Sequence, residues 1–205
     1  MHKVKTKTFE YGLKEITYLK QVDKVLGDAI DRLGKIERMV IPNLFPALIH
    51  AIIGQQISVK AVDTIWNRFQ ERFGEVTPEN VSRISIEEIQ LCGMTNRKAG
   101  YIKSIADTIS QGNLNLKELY NLSDKEVINK LSSLHGIGVW TAEMLLLNSM
   151  ERPDVLSWGD MAIRRGIMKL YGLSELTKEQ FYEYRDRYSP YGSVASIYLW
   201  KIALE

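Results

Sequence analysis

The sequence predicts an all-α protein, and three observations carry that prediction. Glycine and proline divide the chain into segments of short-helix length. Ser, Thr or Asp precedes many of these segments, several times with Glu or Gln three residues later. No span alternates apolar and polar residues for more than a few positions. Apolar periodicity bounded by capping residues is the signature of packed helices, whereas a half-buried strand needs a period of two.

At 205 residues the chain is long enough for one to two domains and a sizeable core. Apolar content of 45% and charged content of 25% match an ordinary globular protein. The sequence has no apolar run long enough to span a bilayer and no signal-peptide apolar region, so a cytoplasmic protein with no membrane partner is expected. Formal net charge is only +2, so nucleic-acid binding cannot be read from total charge and any basic surface must be local. The candidates are Lys3, Lys5 and Lys7, then Arg97, Lys98 and Lys103, then Arg164 with Arg165, each of which also reads as a plain solvated face. Cys92 is the sole cysteine, which excludes an internal disulfide and any cysteine-ligated zinc or iron–sulfur site. It reads as a small core residue.

The first eight residues alternate Lys and Thr and are expected to be an extended arm. Glu15 to Lys20 and Val22 to Leu33 read as helices, the second closed by Gly34. Ile41 to Ala47 is expected to be irregular, leading into FPALIHAIIGQQIS, where Phe45, Leu48, Ile49, Ile52 and Ile53 recur at helical spacing until Gly54. Ser58 opens a helix whose apolar face is Val62, Ile65, Trp66, Phe69 and Phe73, stopped by Gly74. Thr77 before Pro78 is a cap with proline at the first helical position. Ser85 with Glu88, Ser123 with Glu126, and Thr177 with Gln180 are capping boxes, and Thr95 caps a helix to Ser110. Glu151 to Gly159 is a second irregular stretch, and Tyr191 to Leu204 forms the last helix.

The densest information lies in Leu134 to Gly166, LHGIGVWTAEMLLLNSMERPDVLSWGDMAIRRG. Two glycines flanking Ile137 between apolar runs read as helix, tight hairpin, helix. There Gly136 and Gly138 allow a ligand close to the backbone, and the amides opening the next helix form a seat for phosphate. Asp160 then opens a helical run bearing Arg164 and Arg165, where an N-cap role and a chemical role are compatible.

This stretch resembles the signature of the helix-hairpin-helix (HhH-GPD) DNA glycosylases, and GIGVWTA followed by Asp160 and IRRG is most similar to the alkylpurine branch of the 3-methyladenine DNA glycosylase II type. The resemblance spans Ile41 to Trp200. It implies a fold of two helical lobes with the active site in the interlobe cleft. The expected lobes are 35–125 and 1–34 plus 126–205, the latter carrying the hairpin and the catalytic Asp. It also implies a minimal glycosylase core without the large N-terminal domain of the typical bacterial enzyme. The implied partner is double-stranded DNA containing damaged bases, bound by a monomer associated with the nucleoid.

The resemblance assigns roles residue by residue. Asp160 is the implied catalytic carboxylate, stabilising positive charge as the glycosidic bond breaks. Gly136, Ile137, Gly138 and Thr141 would bind the DNA backbone. Gln56, with Gln55 beside it, would fill the gap left by an extruded nucleotide, the alternative being a polar interhelix loop. Trp140, Trp200, Tyr191, Met144 and Trp158 would line the base pocket, where ring faces favour a cationic base; core packing is the alternative for both Trp140 and Trp200. Bifunctional relatives carry a lysine where this chain has Trp140, so hydrolysis without strand cleavage is implied. No cofactor is required, and a structural Na+ or K+ is implied on the carbonyls of Ser132, Leu134 and Gly136. His135, Trp158 and Gly159 depart from the family pattern, and His135 and His50 read as structural or solvated. A glycosylase for another lesion class, or a non-catalytic damaged-DNA binding protein, are the alternatives.

Overall fold

The computed structural model describes residues 4–205, so Lys3 of the basic arm lies outside the described residues. In chain order the elements are β1 (Lys7–Thr8), α1 (Leu13–Val22), α2 (Lys24–Leu33), β2 (Met39–Val40), α3 (Leu44–Gly54), α4 (Val59–Phe73), α5 (Pro78–Val81) and α6 (Ile86–Gln90). They continue with α7 (Asn96–Ser110), a 3-10 turn at Glu118–Asn121, α8 (Asp124–Ser132), α9 (Val139–Asn148), α10 (Met161–Tyr171), α11 (Lys178–Tyr188) and α12 (Gly192–Leu204). The all-helical expectation holds, the two-residue strands β1 and β2 being its one exception among the described residues. No described helix is long and apolar enough to cross a membrane.

Most boundaries follow the caps. Ser85 Oγ accepts from Glu88 N at 3.2 Å while Ser85 N donates to Glu88 at 3.0 Å, and Ser123 with Glu126 and Thr177 with Gln180 repeat the arrangement. Each such cap stabilises its helix by about 1 kcal/mol. Boundaries around α1, α2 and α3 differ from expectation. α3 begins at Leu44, inside the stretch expected to be irregular, because Asn43 Oδ1 accepts from Phe45 N at 3.3 Å and Pro46 falls in the first turn, where its missing N–H leaves nothing unsatisfied. α1 runs on to Val22 and α2 starts after Asp23, whose carboxylate accepts from Leu26 N at 2.9 Å.

The described residues form two compact units, one of 4–7 and 41–150, the other of 8–40 and 151–205. Both hairpin helices therefore belong to the first unit, whereas the sequence reading groups 126–150 with Asp160. The reason is packing: α9 lies against α3, and Ile41 N donates to Asn148 O at 3.0 Å. The core of this unit is α3, with Leu48, Ile49, Ile52 and Ile53 fully buried, covered by α4, α7 and α9.

The second unit is built on α12, buried along Gly192–Leu199. Its closest neighbour is α10. A Cβ on Gly166 would stand 2.3 Å from Leu199 O, so only glycine lets these two backbones meet. The irregular run before Asp160 is stitched to the start of α12: Val155 N donates to Ser193 Oγ at 3.0 Å, Ser196 Oγ to Val155 O at 2.7 Å, and Gly192 N to Asp154 Oδ1 at 3.0 Å. Ser189–Pro190 in the preceding turn is a cis peptide.

The far end of α10 is held by a polar cluster around the buried Asp23. Asp23 Oδ2 accepts from Tyr171 Oη at 2.5 Å and from Arg187 at 2.7 Å, and Tyr171 and Tyr188 hydroxyls lie 2.6 Å apart. Burial alone would raise the Asp23 carboxyl, but the Leu26 amide, the Tyr171 hydroxyl and the Arg187 guanidinium outweigh it and hold it below its ordinary value.

Two outcomes follow. Gly166→Ala should lower stability by about 1–3 kcal/mol or more through forced separation of α10 and α12, read by urea unfolding. A depressed carboxyl contributes stability that is present above its unfolded pKa and lost as pH falls through the folded one. Asp23→Asn should therefore cost roughly 1–3 kcal/mol at neutral pH, with the gap to wild type closing in acid.

Candidate functional site

In the first unit the hairpin joins α8 to α9 through Ser133–Gly138. Gly136 is required twice over: its φ is +88°, and a Cβ would stand 2.4 Å from the Tyr101 ring. Gly138 is required by neither test. Its φ of −88° and ψ of 169° suit any residue, and a Cβ there would meet nothing within 4 Å. As N-cap of α9 it also offers no side-chain oxygen to the first-turn amides, so that helix end presents N–H groups and a positive dipole end. Ile137 turns its side chain into the core and donates its own N–H to Leu134 O at 3.1 Å. Thr141 is buried in the first turn, Met144 is half-buried one turn on, and Trp140 is 47% exposed, which rules out the core role for that tryptophan.

The turn between α3 and α4 separates the two glutamines. Gln56 is exposed at a φ of +57°, a conformation costing about 1 kcal/mol for a residue with a side chain. Gln55 is instead tied down, its Nε2 donating to Gly136 O at 2.7 Å. Its own carbonyl and that of Ile53 accept from Lys98 Nζ at 2.6 and 2.8 Å. Lys98 thus caps the carbonyl end of α3 instead of forming a solvated face, and its burial, with Arg97 adding, pulls its pKa down. Lys103 is likewise committed, to Asp107 and to Ser82 O, while Arg97 is exposed. For a monovalent cation at the hairpin, Leu134 O and Gly136 O already accept Ile137 N–H and the Gln55 amide, and each carbonyl keeps a second lone pair.

In the second unit Asp160 is the N-cap of α10. Its Oδ1 accepts from Ala162 N at 2.8 Å and Ile163 N at 2.9 Å, and the residue is 6% exposed. Cap and candidate acid are one residue, as the sequence allowed. Trp200 carries the Arg38 guanidinium 4.5 Å from its ring centroid, and Asp160 is the carboxylate whose charge acts on that guanidinium. Burial draws the Arg38 pKa down while Asp160 opposes the shift. Arg38 is absent from the sequence reading because nothing in GKIERMV marks it; only the fold brings it to the ring.

The remaining candidates are placed as follows. Trp158 is half-buried, edge-on to Phe181 at 5.3 Å and covered by Arg164 at 4.6 Å. Tyr191 packs edge-on against Tyr18 at 5.2 Å. Arg165 and His135 are exposed. His50 meets Trp66 edge-on at 5.3 Å, and burial lowers its pKa, in keeping with a structural role. Cys92 is 1% exposed, a core residue.

Residues 49–190 match the family described as HhH-GPD superfamily base excision DNA repair protein. DNA-3-methyladenine glycosylase 1 of Schizosaccharomyces pombe is 36% identical over 162 residues, covering 77% of this chain and 71% of that protein. The chain spans 58% of the length of each of two Bacillus subtilis relatives. The crystal structure of a DNA-3-methyladenine glycosidase from Bacillus halodurans superposes with a TM-score of 0.82 at 34% identity, covering 97% of this chain and 92% of the other. The Schizosaccharomyces pombe enzyme in complex with abasic DNA superposes at 0.79 with 31% identity, covering 92% and 96%.

The two hairpin glycines should separate in a stability assay. Gly136→Ala should lose about 1–3 kcal/mol, from the positive φ and the Tyr101 contact together. Gly138→Ser, which adds a preferred N-cap into open space, should stay within about 0.5 kcal/mol of wild type, both read by chemical denaturation.

Proposed function

Given that this chain belongs to the HhH-GPD superfamily of base excision DNA repair proteins, we propose that it is a monofunctional DNA glycosylase releasing alkylated purines of the 3-methyladenine and 7-methylguanine type from duplex DNA. The observation that carries the reading is Asp160, a buried carboxylate fixed through one oxygen by two backbone amides at the start of α10. Breaking the glycosidic bond leaves positive charge on the sugar, and a carboxylate held still beside it stabilises that charge and orients the water that adds. An N-alkylated purine is already cationic, so its departure neutralises the base and needs no strong general acid.

The first unit supplies grip. Gly138 is a glycine the fold itself does not need, which suits a position where a phosphate approaches the backbone, and the amides opening α9, Thr141 included, would receive it. Ile137 contributes by anchoring the turn, since its amide is engaged internally. Gln56, exposed and left-handed at the α3–α4 turn, is the wedge, and Gln55 is the tether that couples that turn to the hairpin. Trp140, which is 47% exposed, is the aromatic face for the extruded base, with Met144 one turn along. The carbonyls of Ser132, Leu134 and Gly136 would hold Na+ or K+, which would stiffen the turn and supply positive charge to a phosphate. No other cofactor is invoked, and the protein acts as a monomer on nucleoid DNA in the cytoplasm.

The test compares wild type with Asp160→Asn on methylated duplex DNA. Asn preserves the cap, so the variant should fold and keep its affinity for abasic duplex while release of 3-methyladenine and 7-methylguanine falls by about 10²-fold or more. Trp140 offers no amine, so borohydride should trap no protein–DNA adduct. Folded wild type that binds distorted DNA and releases no base would replace this reading with a damage-binding protein.

A further inference from the structure

Both tryptophans of the second unit that the sequence offers as pocket walls already carry a cation of the protein on one face. Arg164 lies 4.6 Å from the Trp158 ring centroid and Arg38 4.5 Å from that of Trp200. The Trp158 pair is closed off by Phe181 edge-on. The Trp200 pair is different, because the charge acting on Arg38 is that of Asp160. Asp160 and Trp200 belong to helices whose backbones touch. Trp200 follows Leu199, whose carbonyl abuts Gly166 in the helix that Asp160 caps. Arginine stays protonated, so carboxylate, guanidinium and indole form one charged set.

We infer that Arg38 is a specificity-determining residue of base release, a resident cation that receives the charge of the departing base and penalises a base that arrives positively charged. The inference rests on Asp160 being the carboxylate of a glycosylase. As the bond from C1′ to the base nitrogen breaks, both electrons leave with the base. The sugar becomes an oxocarbenium ion, water adds to C1′ and gives up one proton, and the base takes up a proton if it departs as an anion. A neutral purine thus turns negative and a cationic purine turns neutral, so the change in base charge is the same for both. With the base seated towards Trp200, and so nearer to Arg38 than the sugar that becomes positive, interaction with Arg38 favours the bond-breaking step equally in the two cases. The bound states before that step differ, since only the cationic base sits against a like charge.

This makes a split that a merely structural arginine would not produce. Single-turnover release would be measured at varied enzyme concentration for duplexes carrying 7-methylguanine, a cation, or hypoxanthine, a neutral purine. Arg38→Gln should lower the maximal rate for both by a similar factor, about tenfold, and should improve half-saturation for the 7-methylguanine duplex alone by about three- to tenfold. Arg38→Lys, which keeps the charge, should hold the wild-type ratio of the two specificity constants, and thermal melts of both variants establish folding. An unchanged ratio in folded Arg38→Gln, an equal shift in Arg38→Lys, or a wild type releasing only the cationic base overturns the inference and leaves the glycosylase reading standing. A wild type that releases neither base overturns both.

Discussion

The second unit depends on the place where α10 and α12 touch backbone to backbone. Gly166 against Leu199 O leaves no room for a methyl group, so the spacing of the two helices is set by main-chain atoms and not by side chains that could repack. Asp160 caps one of these helices and Trp200 lies on the other, next to the contact. The apolar burial of α12 along Gly192–Leu199 explains why the helix is central: a helix buried on every side takes its position from its neighbours and imposes it on them. Ser193, Ser196 and the Asp154 carboxylate then fasten the irregular run of 151–159, so that the loop delivering Asp160 is braced against the helix delivering Trp200.

The first unit solves a similar problem with hydrogen bonds. The carbonyl end of α3 receives the Lys98 ammonium, the residue after that helix sends its side chain to Gly136 O, and Tyr101 fills the space a side chain at Gly136 would need. The turn that holds Gln56 in a left-handed conformation is thereby tied to the hairpin. Backbone strain at Gln56 is an observed departure from the ordinary, persisting because the surrounding bonds over-determine the turn. One short segment, Gly54 to Ser58, ends a core helix, steadies the hairpin and presents an exposed polar tip.

What the sequence made legible was local. Capping boxes, proline at a first helical position and helix-closing glycines act within four residues, and Ser85, Ser123, Thr95 and Thr177 all do in the structure what their spacing implies. Asn43 lies in a stretch expected to be irregular, yet it caps α3, and Pro46 in the first turn costs that helix nothing. Gln55, Lys98 and Arg38 were misjudged or unseen because their partners lie at Gly136, in the carbonyls of Ile53 and Gln55, and at Trp200, far along the chain. The resemblance implies a grouping of the hairpin with Asp160, whereas α9 packs on α3 and so joins the first unit.

Asp23 and Asp160 show why a motif alone does not identify a reactive group. Both are buried aspartates, both cap a helix, and both accept backbone amides through Oδ1. Local chemistry gives them the same assignment. They diverge at longer range: Asp23 spends its second oxygen on the Tyr171 phenol and the Arg187 guanidinium, a set of partners that locks the far end of α10 and leaves it no further task. The charge of Asp160 acts on Arg38, whose guanidinium lies 4.5 Å from the Trp200 ring centroid. A carboxylate enclosed by hydrogen bonds from neighbouring helices is a structural fastening, while one that faces an arginine laid over an indole suits, on the proposed function, the reception of a flat, ionisable guest. One helix is thus fastened at its end through Asp23 and capped at its start by Asp160, the carboxylate to which the proposed function gives the chemistry.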